Sequence, residues 1–174
     1  MVIRQALAGE MSAVGALRVG AYQAQGLLAV NPAYAATLAA LGADGHGTVL
    51  VAAGAAGLLG TVMLEPWHAA SEVARGPGEG EVRALAVAPA AQGRGTGRAL
   101  IGAVIDLAAA AGLTSLLLST QPGMRAAQAL YASAGFQRRP ELDWSPVPGL
   151  ALLAFGLPLP GGASPAPGGP AVAQ

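Results

Sequence analysis

The chain has no cysteine, which excludes disulfides, thiolate metal sites and a cysteine nucleophile. Lysine is also missing, since the nine basic residues are all arginine. That removes a Walker loop, which needs Gly-Lys-Ser/Thr, a protein-kinase lysine and a pyridoxal Schiff base. Charged residues are 10% of the chain, against about 25% in ordinary soluble domains, so an Ala- and Gly-rich surface is expected. The formal net charge is +0, and no basic strip suggests a nucleic-acid partner. His46 and His68 are far apart in the sequence and no His-Glu-x-x-His occurs, so a zincin-like site is excluded and no metal is expected. No Gly-x-Ser-x-Gly elbow is present either.

The N-terminus, Met1-Val-Ile-Arg-Gln, lacks the basic-then-apolar order of a signal peptide. Ala99 to Leu118 is as apolar as a membrane span, but Asp106 lies in its middle and Gly112 breaks it. A central Asp costs roughly 3 kcal/mol on insertion scales, so a buried helix followed by a buried strand is the more economical reading. A cytoplasmic protein without membrane contact is expected. Its 174 residues suit one domain with a sizeable core.

What is present is a glycine loop, Gln92-Gly-Arg-Gly-Thr-Gly97, set between a β-like run (Glu81 to Val87) and a helix-like run from Arg98. Glycines let main-chain N–H groups approach an anion, and a helix N-terminus adds unpaired N–H groups and a favourable dipole. The spacing is not the dinucleotide fingerprint, because Arg98 stands where a third glycine is needed. By itself the loop is either a phosphate cradle or a tight turn.

Periodicity gives strands over Val2–Leu7, Thr48–Ala53, Leu58–Leu64, Glu81–Val87, Ser115–Thr120, Phe136–Arg138 and Leu150–Leu157. Helices are expected over Glu10–Ala24, Pro32–Leu41, Gly95–Ala111 and Met124–Ala134, the last closed by Gly135. Pro66 to Gly80 reads as a long loop. From Pro158 to Gln174 the chain is Pro, Gly, Ala and Ser without periodicity, and a disordered tail after a domain of residues 1–157 is expected.

Gln92-x-x-Gly95-x-Gly97, following a strand that ends in Val87-Ala-Pro, resembles the acetyl-CoA loop of the GNAT acyltransferase superfamily. Ala127-x-x-Leu130-Tyr131-x-x-x-Gly135-Phe136 is similar to that superfamily's second conserved block. The ending from Gly135-Phe136 to Trp144 resembles a bacterial subgroup whose substrates are mostly unassigned. The resemblance implies an α/β fold of the α+β type: a central mixed sheet of about seven strands, splayed between the fourth and fifth, flanked by about four helices. It also implies acetyl-CoA as co-substrate, a pantetheine arm lying in the splay, and transfer of acetyl to a primary amine by direct attack.

Carried over by position, Tyr131 is the acid for the departing thiolate, or else a core tyrosine. Glu81, eleven residues before Gln92, is the base, or else a salt-bridged partner of Arg83; alternation puts Glu79, Glu81 and Arg83 on one strand face. Main-chain groups of Leu85, Ala86 and Val87 are expected to bind pantetheine, and the amides of Gly93, Arg94, Gly95, Thr96, Gly97 and Arg98 to bind pyrophosphate, with charge-assisted contacts from the two arginines. Many relatives carry Asn where this chain has Met124, so that bond to pantetheine is lost or moved to Thr120 or Gln121. Tyr22, Tyr34, Trp67, Arg83 and Trp144 are expected to line the acceptor pocket; Glu65, Glu72 and His68 are weaker candidates. The acceptor expected is a small-molecule amine, with a protein or peptide amine, or a non-catalytic acyl-CoA-binding module, as alternatives. A homodimer is left open.

Overall fold

The computed structural model describes residues 1–55 and 57–160. Its strands are β1 (Val2–Gln5), β2 (Thr48–Gly54), β3 (Gly57–Pro66), β4 (Glu79–Val87), β5 (Ser115–Thr120), β6 (Gln137–Arg138), β7 (Trp144–Val147) and β8 (Leu150–Pro158). The helices are α1 (Met11–Ala24), α2 (Tyr34–Ala40), α3 (Thr96–Ala110) and α4 (Arg125–Ser133). The strands run β1-β2-β3-β4-β5-β8-β6 across the sheet, with β7 paired to β8. Among the described residues only β4 and β5 pair in parallel, and α3 makes the crossover between them, the connection that parallel neighbours require.

Helix α3 exists because Leu100, Ile101, Val104 and Ala108 fall on one stripe, and all are essentially buried against the sheet. They join Val82, Leu116, Tyr131 and Phe136 in the main core. On the opposite face Val14 of α1 packs with Val49, Val51 and Met63 in a second core. A charged residue, Arg18, is also fully buried on α1. Its Nη1 donates to Leu41 O at 2.7 Å, at the C-terminus of α2, where a cation is favoured. Arg18 Nε and Nη2 are buried without a partner, and burial lowers its pKa to about 10.

β4 and β5 pair only from Glu79↔Ser115 to Glu81↔Leu117. Beyond that point β4 stays on β3 through Val87↔Gly60 while β5 stays on β8 through Thr120↔Leu153. The strands therefore diverge, leaving one edge of β4 unpaired. The divergence starts at a bulge: the β3–β4 register shifts between Thr61 and Met63, and Ala84 there has φ +52°. Bulges increase local twist and bend the strand that carries them.

β7 is the one strand not expected from the sequence. It has four residues and contains Pro146, which is tolerated because β7 is an edge strand. The Pro148-Gly149 turn that returns it to β8 was a usable signal, with φ +83° at Gly149. The packed fold also extends past the expected boundary at Leu157. β8 runs to Pro158, and Leu159 is buried in the main core with its N–H donating to Thr114 O at 2.9 Å. The remainder of the expected tail, residues 161–174, lies outside the described residues. The apolar stretch from Ala99 to Leu118 divides into α3, a turn and β5. Among the described residues, no helix is long and apolar enough to cross a membrane.

Candidate active site

The glycine loop closes the β4–α3 junction. Gly93 and Gly95 have φ +71° and +80°, and an added Cβ at either meets nothing within 4 Å. They are glycine because the backbone is left-handed, not because space is short. Among the described residues, the N–H groups of Gly93, Arg94 and Gly95 donate to no backbone carbonyl. Those of Thr96, Gly97 and Arg98 open α3, whose first turn has no internal acceptor. Arg94 and Arg98 are exposed, and neither is in an ion pair among the described residues. Six consecutive amides and two unengaged guanidinium groups make a cradle that fits a pyrophosphate.

Two side chains of the loop have other tasks. Thr96 is buried and its hydroxyl donates to Ala91 O at 3.2 Å. Gln92 is exposed and reaches Val87 O at 3.4 Å. Gly97 lacks a side chain for packing reasons, since a Cβ there would lie 3.1 Å from Leu130 Cδ2 on α4.

A cavity of about 110 Å³ opens where β4 and β5 part. Glu81, Arg83 and Ala84 line it from β4, Leu118 and Ser119 from β5. Tyr22, Tyr34 and Trp144 complete it with aromatic walls. Trp144 Nε1 donates to Ser119 Oγ at 3.1 Å, which fixes the indole over the end of β5. Gln121 Nε2 donates to Leu27 O at 2.8 Å and ties the α1–α2 connection to the same strand end. Trp67, expected in this wall, is 38% exposed at the end of β3 and is not among the lining residues.

One side of the cavity is ionic. The expected Glu81–Arg83 pair does not form. Arg83 Nη1 donates to Glu65 Oε2 at 2.7 Å and Nη2 to Glu72 Oε1 at 2.6 Å. Burial opposes the charge on Arg83, but Glu72 and Glu65 outweigh it and hold the guanidinium more firmly protonated than usual. Glu81 is 1% exposed, and its Oε1 accepts the N–H groups of Val73 at 2.6 Å and Ala74 at 2.8 Å. It thus holds the Pro66–Gly80 connection against β4, a role with no signal in the sequence because that loop's path was unreadable. Glu72 is pushed above the usual carboxylate range, first by burial and further by Glu81 and Glu65, with Arg83 opposing.

Tyr131 is 5% exposed and its ring packs on Phe136 with centroids 5.8 Å apart. Burial raises the phenol's pKa, so the group is protonated at neutral pH. It does not line this cavity, yet it is near enough to Tyr22 to raise that phenol's pKa, after burial and Tyr34. Thr120 is buried and its Oγ1 accepts Gln128 Nε2 at 3.2 Å, so with Gln121 engaged both expected substitutes for the missing Asn have internal partners. The histidines, distant in sequence, stack at 6.4 Å between ring centroids. Among the described residues, no three His, Asp or Glu side chains converge as a metal site.

Comparison with known proteins agrees with this geometry. Solved structures with the same fold include a GNAT-family acetyltransferase from Staphylococcus aureus Mu50 (TM-score 0.72, 14% identity, 91% of this chain and 98% of that one). Another is yncA of Salmonella typhimurium, solved with its cofactor acetyl-CoA (TM-score 0.66, 22% identity, 95% and 97% coverage). Mycothiol acetyltransferase of Renibacterium salmoninarum is 48% identical over 59 residues, which are 34% of this chain and 18% of that protein. The corresponding protein of Kocuria rhizophila is 47% identical over 62 residues, 36% and 20% of the two chains. The matched stretches are thus a fifth or less of those relatives. Residues 21–136, which carry the cradle, the splay and Tyr131, match the acetyltransferase (GNAT) family, and the chain belongs to that family.

Proposed function

We propose that this protein is an acetyl-CoA-dependent N-acetyltransferase acting on the primary amine of a small molecule. The observation that carries this is the divergence of β4 and β5 after Glu81↔Leu117, with an aromatic cavity opening into it. The cavity's size favours a small acceptor, and the partial relatives named for mycothiol point the same way.

Acetyl-CoA supplies a thioester. The amine nitrogen attacks its carbonyl carbon, a C–N bond forms, and the C–S bond breaks with its electron pair leaving on sulfur. The attacking nitrogen must first be neutral. Glu81 Oε2, which no described donor occupies, takes that proton. The unpaired edge of β4 around Leu85, Ala86 and Val87 binds the pantetheine amides as an added strand does. The amides of Gly93–Arg98 hold the pyrophosphate. Tyr131, kept protonated by burial, delivers its proton to the departing thiolate, and the excess proton on the newly bonded nitrogen returns to the Tyr131 oxygen.

The test is thiol release from acetyl-CoA against a panel of small amines and one peptide, with Tyr131→Phe in parallel. An acid–base group contributes about 10²–10⁴-fold, so Tyr131→Phe should fold normally, bind CoA nearly as well and release thiol at least tenfold more slowly in the pre-steady state. Release that needs the peptide alone, or no release from any amine, rejects the small-molecule assignment. An unchanged chemical step in Tyr131→Phe reduces that tyrosine to packing.

A further inference from the structure

The acceptor cavity has a polarity that narrows its ligand further, taking the acetyltransferase reading as its basis. Three carboxylates, Glu65, Glu72 and Glu81, and two guanidinium groups, Arg83 and Arg18, lie in or behind its ionic side. Glu65 is saturated: Oε2 takes Arg83 and Oε1 faces His68 at 3.4 Å. Glu72 and Glu81, which line the cavity, each commit only Oε1. Each therefore keeps one oxygen with no described donor. The charge of Arg83 is balanced by Glu65 and Glu72, one on each Nη, and the unpartnered Nε and Nη2 of Arg18 are buried and outside the lining. With three carboxylates to one lining guanidinium, this side of the cavity favours a cation over an anion.

The rest of the lining carries no charge. Leu27, Val73, Leu118, Met124 and Leu152 accompany the three aromatic rings, and its polar side chains, Asn31, Ser119 and Gln121, are neutral. At about 110 Å³ the space approaches the ~150 Å³ cavity that holds benzene in an apolar protein interior. A second ammonium would find no carboxylate in this wall to balance its charge. A carboxylate would meet Glu72 and Glu81, with Arg83 already paired to Glu65 and Glu72. A single ammonium next to aromatic faces gains a further attraction from the ring quadrupoles.

We propose that the acceptor is a monocationic arylalkylamine: its ammonium sits between the spare oxygens of Glu72 and Glu81, and its ring lies among Tyr22, Tyr34 and Trp144. This predicts selection against polyamines, α-amino acids and peptide N-termini. Glu72 is the specificity residue, because Glu81 is tied to the loop amides.

The test reads binding directly. The chain has two tryptophans, so Trp67→Phe leaves Trp144 as the single reporter inside the cavity. In that background, 2-phenylethylamine should change Trp144 emission saturably and at least tenfold more tightly than L-phenylalanine, putrescine, phenylacetate or Ala-Phe-Gly-amide. Glu72→Gln should weaken it about tenfold to a hundredfold, the range of one hydrogen bond to a charged group. Met124→Phe, which fills the cavity without altering charge, should abolish the change and covers the case of Glu72→Gln misfolding. A preference for any of the other four ligands, no saturable response at millimolar 2-phenylethylamine, or an unaltered response in folded Glu72→Gln or Met124→Phe overturns the proposal. Acetyl transfer is scored separately. Binding without transfer upholds this pocket and rejects the enzyme reading, whereas transfer to putrescine or the peptide alone does the reverse.

Discussion

Glu81 has one observed role, as a loop anchor, and one proposed role, as the base, and a pair of substitutions can separate them. Its carboxylate satisfies the N–H groups of Val73 and Ala74, residues only 2% and 3% exposed. Glu81→Leu removes the one oxygen that accepts both. A buried unsatisfied donor costs about 1–3 kcal/mol, so two cost about 4 kcal/mol, which lowers Tm by roughly 10 °C in a domain of this size. Glu81→Gln keeps a carbonyl oxygen in place and loses only the charge assistance, about 1 kcal/mol per bond, for a fall of roughly 5 °C. Relief of repulsion with Glu65 and Glu72 pulls both values down. The catalytic effect does not follow this order. Both variants lack the proposed carboxylate base, so both should lose about 10²–10⁴-fold in kcat/KM. The measurements are thermal melts and kcat/KM. Glu81→Gln retaining kcat/KM within threefold would show a loop anchor with no part in proton transfer. Equal melting temperatures in wild type and Glu81→Leu would refute the hydrogen-bond ledger.

In the cradle, Gly95→Glu places a carboxylate beside the phosphate and forces a side chain onto φ +80°; calorimetry should show CoA binding lost, while Gly95→Asn, which accepts left-handed backbone, retains most of it. Loss in both variants equally would point to backbone strain and not to charge. Truncation after Leu157 removes the buried Leu159, worth about 1.5–3 kcal/mol, and should lower Tm by several degrees, whereas truncation after Pro160 should not; equal melts would place the boundary back at Leu157. Glu10 binds both Nη atoms of Arg4 at 2.7 Å and accepts Leu7 N at 2.9 Å, and Arg4 first, then the Leu7 N–H, lowers its pKa from 4.5 to about 2. A depressed carboxylate stabilises above its unfolded pKa and loses that contribution as pH falls through the folded value, so Glu10→Gln should flatten the decline in Tm between those pH values; identical acid profiles would mean the exposed pair is screened.

Much of the fold was legible because its signals are local. The α3 stripe, the glycine loop and the Gly135 cap are each readable from their own neighbours, and each lies where the pattern puts it. Of the residues expected in the acceptor wall or as base, Glu81, Arg83, Tyr22, Tyr34 and Trp144 line one cavity and Trp67 does not. Its connections were not. The Arg83 fork onto Glu65 and Glu72 depends on β3 pairing β4 and on the course of a loop without periodicity. The Gln121–Leu27 bond joins residues 94 positions apart, and no short-range pattern encodes such a contact. Pro146 hid β7, and with it the reason Trp144 is held still.

The bulge at Ala84 acts as a parity switch. Before it, even-numbered Val82 faces α3 while odd-numbered Glu81 and Arg83 face the acceptor cavity. After it, odd-numbered Leu85 and Val87 pack toward the α3 core. One strand thus offers ionisable side chains to the cavity over its first half and apolar ones to the helix over its second, although both sets carry odd numbers. Strict alternation would have forced a choice between a polar wall for the cavity and a dry seat for the helix that follows the glycine loop. A single-residue deletion here would turn one half of β4 over. This change of face rests on Ala84 at φ +52°, a conformation that costs a non-glycine residue about 1–2 kcal/mol.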